Sequence, residues 1–382
     1  MNKSTQGIVK YLLVVAIVLP SMDSCFNLDF TPALAENRPL RPWPTFADGP
    51  RTARRWIEDF NGYFDDHFGF RRLFVRLYHR IGYRVFGVSG SRKVLIGKEG
   101  WLYYAGENAI EDYRGTTRLS EQQAARWVRH VEGRRRWLAQ RGIGYLLVVV
   151  PEKSTVYPEY LPEYVTKVGT DNQRLQFLEA LAAGSGVRPV DLAEVLIASK
   201  EQAALYYKYD SHWTPLGAFI GYREVMKRVA EMLPKVELQT LQDFEQRPVA
   251  IKHGDLANMI SLGAVLEESA VELVPRTPYR ATMTLRNDRP MDPFVRERKG
   301  TTLPRAVFFR TSYETYNEHF FSEHFSYVKY YWPRPTEGIG YDLQTVVAED
   351  RPDVVIEVIG ERAIIERTPD HETETADLAP LT

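Results

Sequence analysis

The sequence predicts an α/β fold, a three-layer αβα sandwich around a mostly parallel sheet, and three observations predict it. Apolar runs of strand length alternate along the chain with segments of helical periodicity. The runs from Gly144 to Val150 and from Val354 to Ile359 are almost continuously apolar, as strands covered on both faces are. The composition, 44% hydrophobic and 12% aromatic against 26% charged, is enough to bury a core and lies outside the range of disordered or collagenous chains.

The elements follow in order. Lys3 and Lys10 precede an uncharged run from Tyr11 to Met22, the layout of a positively charged segment followed by an apolar one that directs export. Residues 1–26 are therefore read as a signal peptide or membrane anchor. The run is short for a membrane span unless Ile8 and Val9 are added and Lys10 snorkels. Pro32, Pro39, Pro42, Pro44 and Pro50 make residues 27–50 an extended tether. A single large domain is expected over 51–366, and 367–382 is expected to be a disordered tail.

Within that domain, Trp56, Phe60, Phe64 and Phe68, then Leu73, Val75, Leu77 and Ile81, recur at helical spacing on either side of Gly69, which predicts two amphipathic helices. Val94 to Tyr104 reads as a hairpin with Gly97 and Gly100 around its turn. Ser120 caps a helix reaching Gln140. Beyond strand 144–150 come a helix over 171–183, a strand near Val187 to Val190, and a helix from Pro215 to Met232. A strand from Ala306 to Phe309, a helix over 313–322, a strand from Tyr327 to Tyr331, a helix over 342–349 and the strand 354–359 complete the alternation. Residues 235–304 break the rhythm and read as an inserted irregular or β-rich segment.

Charge and cysteine content narrow the chemistry. Lys and Arg number 49 against 50 Asp and Glu, a net charge of −1, so no nucleic-acid partner is expected. The single cysteine, Cys25, excludes an intramolecular disulfide and any Cys-based zinc cluster.

The candidate chemistry lies in two segments. Asp210-Ser-His212-Trp-Thr214-Pro215 stands at a helix entrance, with Thr214 suited to N-cap and Pro215 to the first turn. An Asp two residues before a His can fix the imidazole tautomer and leave the other nitrogen as a base. Ser312 follows the apolar strand 306–309 and opens a helical pattern. In open α/β sheets, sites form outside the carboxyl ends of strands, and a serine there meets the positive end of the helix dipole. The structural alternative is that Thr311-x-x-Glu314 is a capping box; it leaves the hydroxyl of Ser312 without a structural duty. A second chemistry would join Asp210-x-His212 to His253-x-Asp255 as a zinc or manganese site, against which His253-Gly-Asp255 reads as a plain turn. His319 and His324 read as surface or packing residues.

Taken together, these residues resemble the alginate O-acetyltransferase family of AlgJ and AlgX type, a branch of the SGNH-hydrolase superfamily. The marks are Glu36-Asn-Arg38, Phe64-Asp-Asp-His67-Phe-Gly-Phe-Arg71, Gly97-Lys-Glu-Gly-Trp101-Leu-Tyr103, Val150-Pro-Glu-Lys153 with Tyr157, Asp210-Ser-His212-Trp213-Thr214, Gly254-Asp-Leu-Ala257, Thr311-Ser312-Tyr313, Glu323-His-Phe325, and Pro352-Asp-Val-Val-Ile356-Glu with Glu361-Arg362.

The resemblance implies an SGNH-hydrolase-like fold and a triad of Asp210, His212 and Ser312. It implies acetyl transfer through an acetyl-serine to the hydroxyls of an exported, alginate-like polysaccharide. The implied partners are that acceptor, an acetyl donor and a polytopic membrane O-acyltransferase, in the periplasm, with no cofactor and no metal. The chain departs from the family pattern at Arg310, where relatives often have Gly, and at Thr311, where the superfamily's Gly-Asp-Ser block has Asp. Tyr313, Trp213, Tyr316 and Arg310 are the candidate substrate-binding residues, with core packing as the alternative for the aromatics. Two rival functions use the same residues: a secreted carbohydrate esterase with the same triad, and a non-catalytic scaffold of a polysaccharide export complex.

Overall fold

The computed structural model describes residues 3–31, 39–45, 52–233, 236–286, 289 and 291–369. Most of the expected tail and parts of the proline-rich tether lie outside the described residues. The chain divides into two compact units, Met1–Ile96 with Lys252–Glu267, and Gly97–Ile251 with Glu268–Thr382.

In the first unit, helices cover Lys3–Phe26, Thr52–His67 and Arg71–Ile81, the last two as the apolar spacing predicts. Phe70, at φ 57°, makes the sharp entry to the third helix, and its N–H donates to Asp23 Oδ2 at 2.6 Å. Gly69 permits this turn, because a Cβ there would stand 1.9 Å from the carbonyl oxygen of Pro20. No helix among the described residues is long and apolar enough to cross a membrane, so the anchor reading of residues 1–26 gains no support. Strand β1 (Val94–Ile96) closes this part of the unit, and residues 252–267 add a short helix, Asp255–Met259.

The second unit opens with β2 (Leu102–Tyr104), reached through a tight turn in which the Gly97 N–H donates to the Trp101 carbonyl at 2.7 Å. Its strands continue as β3 (Gly144–Val150), β4 (Val190–Asp191), β5 (Phe244–Ile251), β6 (Glu268–Pro275), β7 (Thr282–Arg286), β8 (Phe294–Glu297), β9 (Arg305–Phe309), β10 (Tyr327–Tyr331) and β11 (Val354–Gly360). Seven of them form the central sheet in the order β4-β3-β11-β9-β10-β8-β7. Pairing is parallel from β4 through β10 and antiparallel across β8 and β7. The second unit is thus a three-layer αβα sandwich with a mostly parallel sheet, as expected.

Both faces of the sheet are covered, because parallel strands need crossovers and those crossovers are helices. On one face, Trp127 and Val131 of helix Glu121–Ala139 pack with Phe177 and Leu181 of helix Gln173–Gly184 on Leu147, Val149 and Ile359. Further along that face, Trp137 and Leu138 meet Val307, Phe309, Val355 and Leu343. The other face carries helix Pro215–Met232, whose Phe219, Tyr222, Val225 and Met226 are buried. Ser120 caps its helix through a full capping box with Gln123.

The inserted segment proves β-rich in two separate ways. β5 and β6 pair with each other as an antiparallel ribbon, whereas β7 and β8 extend the central sheet along β10. The helix expected over 313–322 is broken into a 3₁₀ turn, Tyr313–Tyr316, and a short helix, Glu318–Ser322, with Asn317 between them at φ −128°. The reason is local: Glu314 turns its carboxylate back onto Thr311, which tightens the first turn.

A charge-paired carboxylate lies on a central strand of the sheet. Glu357 of β11 accepts from Arg134 Nη1 at 2.9 Å and from the Tyr145 hydroxyl at 2.8 Å. Burial pushes this carboxyl up, but the Arg134 guanidinium, His130 and Tyr145 more than offset it and hold it well below the usual carboxylate range. A depressed carboxyl stabilises the fold above its unfolded pKa, and that contribution is lost as pH falls through the folded value. Arg134→Met should therefore cost about 3–5 kcal/mol, because it strands a buried charge. Urea unfolding at neutral pH checks this, and the deficit should shrink on acidification.

Candidate active site

The site begins where β9 runs out. The Arg310 N–H still donates to the Tyr331 carbonyl of β10 at 2.7 Å, so the sheet register reaches that residue, and the chain then turns. Thr311 is held by Glu314, whose Oε2 accepts the Thr311 N–H at 2.6 Å and its hydroxyl at 2.9 Å. The Tyr313 N–H in turn donates to Thr311 Oγ1 at 3.3 Å. The Glu314 carboxylate thus makes one half of a capping box, while the Thr311 hydroxyl accepts from Tyr313 rather than from Glu314, on a 3₁₀ turn. It occupies the hydroxyl of Thr311 and leaves that of Ser312, in a right-handed helical conformation at φ −68°, ψ −24°, for another partner.

That partner is His212, whose Nε2 lies 2.8 Å from Ser312 Oγ. Its Nδ1 lies 2.7 Å from Asp210 Oδ1, and the same oxygen accepts the His212 N–H at 2.9 Å. A carboxylate only accepts, so Nδ1 carries the proton and Nε2 receives the serine hydroxyl. Both ring nitrogens are thereby engaged. His253 and Asp255, the other two residues of the metal reading, belong to the first unit, where Asp255 opens the short helix.

The histidine loop owes its shape to its neighbours. Tyr206 and Trp213 form an isolated antiparallel bridge, with the Tyr207 N–H donating to His212 O at 3.1 Å and the Thr214 N–H to Leu205 O at 2.9 Å. Thr214 caps the following helix by accepting the Gly217 N–H at 3.3 Å, and Pro215 takes its first position. Gly217 is required there, since a Cβ would approach the Leu205 carbonyl oxygen to 2.2 Å. Trp213 ties the two loops together, its indole N–H donating to the Tyr313 carbonyl at 3.0 Å.

The four candidate substrate-binding residues separate. Trp213 and Tyr313 are each 1% exposed and Arg310 2% exposed, so none of them offers a surface to a sugar. Trp213 and Tyr313 pack edge to face at 5.2 Å, the core role that was the alternative. Arg310 lies over the Trp332 ring at 4.5 Å, with burial pushing its guanidinium down from its usual range. Tyr316 alone is partly exposed, its ring 5.6 Å from that of His212. Among the remaining histidines, His324 is buried against the Tyr222 hydroxyl at 2.6 Å, and burial pushes it down to about 4. It is a packing residue.

Two groups near the site escaped the sequence reading as participants. Lys153 and Glu268 bond to the backbone just ahead of Asp210. The position of Lys153 directly after an apolar strand was a visible signal, whereas Glu268 on the inserted ribbon gave none.

A parallel sheet with helices on both faces and a serine, histidine and aspartate chain at its carboxyl edge define the SGNH-hydrolase-like class. The family described as SGNH hydrolase-like domain, acetyltransferase AlgX matches residues 94–293, more than half of the chain, and the chain belongs to it. That match includes Asp210 and His212, while Ser312 lies beyond it.

Among relatives, the chain is similar to "Probable alginate O-acetylase AlgJ" of Pseudomonas aeruginosa. The two are 29% identical over 234 residues, 60% of this chain and 56% of the relative. The protein of the same name from Pseudomonas syringae pv. tomato is 27% identical over 230 residues, 58% of this chain and 56% of the relative. The chain thus spans a little over half the length of these relatives. In fold it is similar to PatB1 of Bacillus cereus, with a TM-score of 0.51 at 15% identity, over 72% of this chain and 97% of that one. It is likewise similar to a DHHW family protein of Eubacterium siraeum, with a TM-score of 0.50 at 15% identity, over 76% and 97%.

The serine turn depends on a buried carboxylate, which makes it testable without reference to activity. Glu314 is 2% exposed; burial pushes its carboxyl up, against the Thr311 bonds and the Arg310 charge that pull it down. Glu314→Ala should cost about 1–3 kcal/mol by leaving the buried Thr311 N–H without its acceptor. Denaturant unfolding measures the loss, and Glu314→Gln should recover part of it.

Proposed function

We propose that this protein is an O-acetyltransferase that moves acetyl onto hydroxyls of an exported, alginate-like polysaccharide through an acetyl-Ser312 intermediate. The observation that carries the reading is the unbroken chain Ser312 Oγ, His212 Nε2, His212 Nδ1, Asp210 Oδ1, at 2.8 and 2.7 Å. Membership of an acetyltransferase family and the names of the relatives supply the acyl group and the acceptor class.

The chemistry follows from the geometry. Ser312 Oγ attacks the carbonyl carbon of an acetyl donor while its proton passes to His212 Nε2, and Asp210 stabilises the imidazolium through Nδ1–H. Negative charge gathers on the carbonyl oxygen, and in this reading the Ser312 N–H, at the first turn after β9, donates to it. Collapse expels the donor's leaving group, which takes the proton from His212 Nε2 and leaves that nitrogen free as a base. A sugar hydroxyl then gives its proton to Nε2 and attacks the acetyl-serine, and collapse of the second intermediate returns that proton to Ser312 Oγ. In this reading Tyr316, part-exposed beside His212, contacts the acceptor ring.

In this reading residues 51–366 are the acetyltransferase domain, following an export segment at 1–26 and a tether at 27–50. The protein acts in the periplasm, and a polytopic membrane O-acyltransferase delivers acetyl to it. Transfer rather than hydrolysis requires the sugar to outcompete water.

Incubation of the purified chain with a chromogenic acetyl ester should give an adduct of about 42 Da, the mass of one acetyl on the nucleophile, mapping to Ser312. It should be absent in Ser312→Ala, and its formation should slow by about 10²–10⁴-fold in His212→Ala. Added oligouronate should become acetylated. An adduct that only water discharges would favour the esterase, and wild type without adduct or turnover would overturn the triad reading.

A further inference from the structure

The residues 207–210 that lead into His212 are neither helix nor central strand, and beyond the bonds from Tyr207 N–H to His212 O and from Leu102 N–H to Lys208 O they have no regular backbone ladder. Buried carbonyls and N–H groups in that position need other partners. Here the two polarities are served from two directions by two opposite charges.

Lys153, 2% exposed, follows β3 directly. Its Nζ donates to the carbonyls of Tyr207 at 3.0 Å, Lys208 at 3.3 Å and Asp210 at 2.7 Å. An ammonium has three donors, and three carbonyls of one segment meet them. Glu268, at the start of β6, supplies the opposite pole: its Oε2 accepts the Lys208 N–H at 2.6 Å and its Oε1 the Tyr209 N–H at 2.9 Å. The 207–208 and 208–209 peptide units therefore lie with their carbonyls toward a cation and their N–H groups toward an anion, an arrangement that favours one orientation of each peptide dipole and opposes the other.

We propose that Lys153 and Glu268 are positioning residues for the triad, holding the 207–210 backbone so that Asp210 orients His212 toward Ser312. The inference rests on the triad reading above and adds two residues to it. Asp210 is the point of connection, because its own carbonyl takes the shortest of the three Lys153 bonds while its carboxylate holds His212 Nδ1. The ammonium is itself steadied by the faces of Tyr103 at 5.3 Å and Trp101 at 5.7 Å, which gives a role to two of the sequence marks that catalysis leaves unused, Gly97 to Tyr103 and Val150 to Lys153.

The test compares the full chain with Lys153→Met, which keeps the aliphatic stem and removes the charge, and with Glu268→Gln, which keeps the shape. A small sulfonyl fluoride reports the reactivity of the serine directly, by intact mass, with no acceptor needed. The chromogenic acetyl ester separates kcat from KM, and proton NMR follows the low-field His212 Nδ1–H signal. In both variants the sulfonylation rate and kcat should fall about 10–100-fold, the cost of misplacing a reacting group by a fraction of an ångström to an ångström. KM should change by less than about 2-fold, since the lost contacts act on the reacting geometry rather than on binding. The Nδ1–H signal should shift or broaden.

Because both residues hold one segment, the double variant should lose less than the product of the two single effects, and Lys153→Arg should restore part of the rate. Should Lys153→Met lack cooperative unfolding, Glu268→Gln decides. A folded variant that labels Ser312 at the wild-type rate with an unmoved Nδ1–H signal overturns the proposal. Wild type that is not labelled at Ser312 overturns instead the triad reading, and this proposal with it.

Discussion

A parallel strand buried on both faces can be entered only through a crossover, and every such strand in one sheet delivers its carboxyl end to the same edge. β3, β9, β10 and β11 obey that constraint, paired in parallel with interiors that are mostly buried. The consequence is positional. Lys153 after β3, Ser312 after β9 and Glu361 after β11 all leave the sheet at one edge, while the loop carrying Asp210 and His212 comes to it at the entrance of helix Pro215–Met232. The 2.8 Å approach of Ser312 Oγ to His212 Nε2, across a hundred residues of sequence, depends on that shared edge.

The polar groups that hold the site are buried at a cost, and each is satisfied in a way that restricts the geometry. Glu314 fixes Thr311, the Trp213 indole fixes the Tyr313 carbonyl, and Asp210 Oδ1 binds both the backbone and the ring of His212. A hydrophobic turn of the same shape would be cheaper to bury, but it would not choose among nearby rotamers and registers. Glu357 with Arg134 does the same inside the sheet, tying helix Glu121–Ala139 to β11 at one point along its length. A paired buried charge adds little net stability and penalises any register that separates the pair.

Much of this was legible in residues alone. The apolar continuity of 144–150 and 354–359, the capping positions of Ser120, Thr214 and Pro215, and the placement of Ser312 after an apolar strand are local signals with local causes, and the elements stand where those signals put them. The failures share a different cause. Trp213, Tyr313 and Arg310 looked available to a substrate because aromatic and cationic side chains next to a serine or histidine suit a sugar, yet all three face inward. The break at Asn317 was hidden because the 313–322 spacing suits one continuous helix, whereas a carboxylate bond from Glu314 back to Thr311 selects the tighter turn. β7 and β8 joined the main sheet rather than the inserted ribbon for want of any pattern that names a strand's partner.

The sequence by itself determined the layer architecture, since periodicity and apolar continuity are properties of single segments and state which faces must be covered. It also determined which residue types were on hand for acyl chemistry and, through Thr311 and Glu314, which hydroxyl was left over. Only the tertiary structure decided that Asp210, His212 and Ser312 meet, that of the four candidate contact residues Tyr316 keeps an open face, and that Lys153 and Glu268 close on the same four residues from opposite sides. Those outcomes are set by distances between segments remote along the chain, and a linear pattern carries no information on such distances until strand order and register are known.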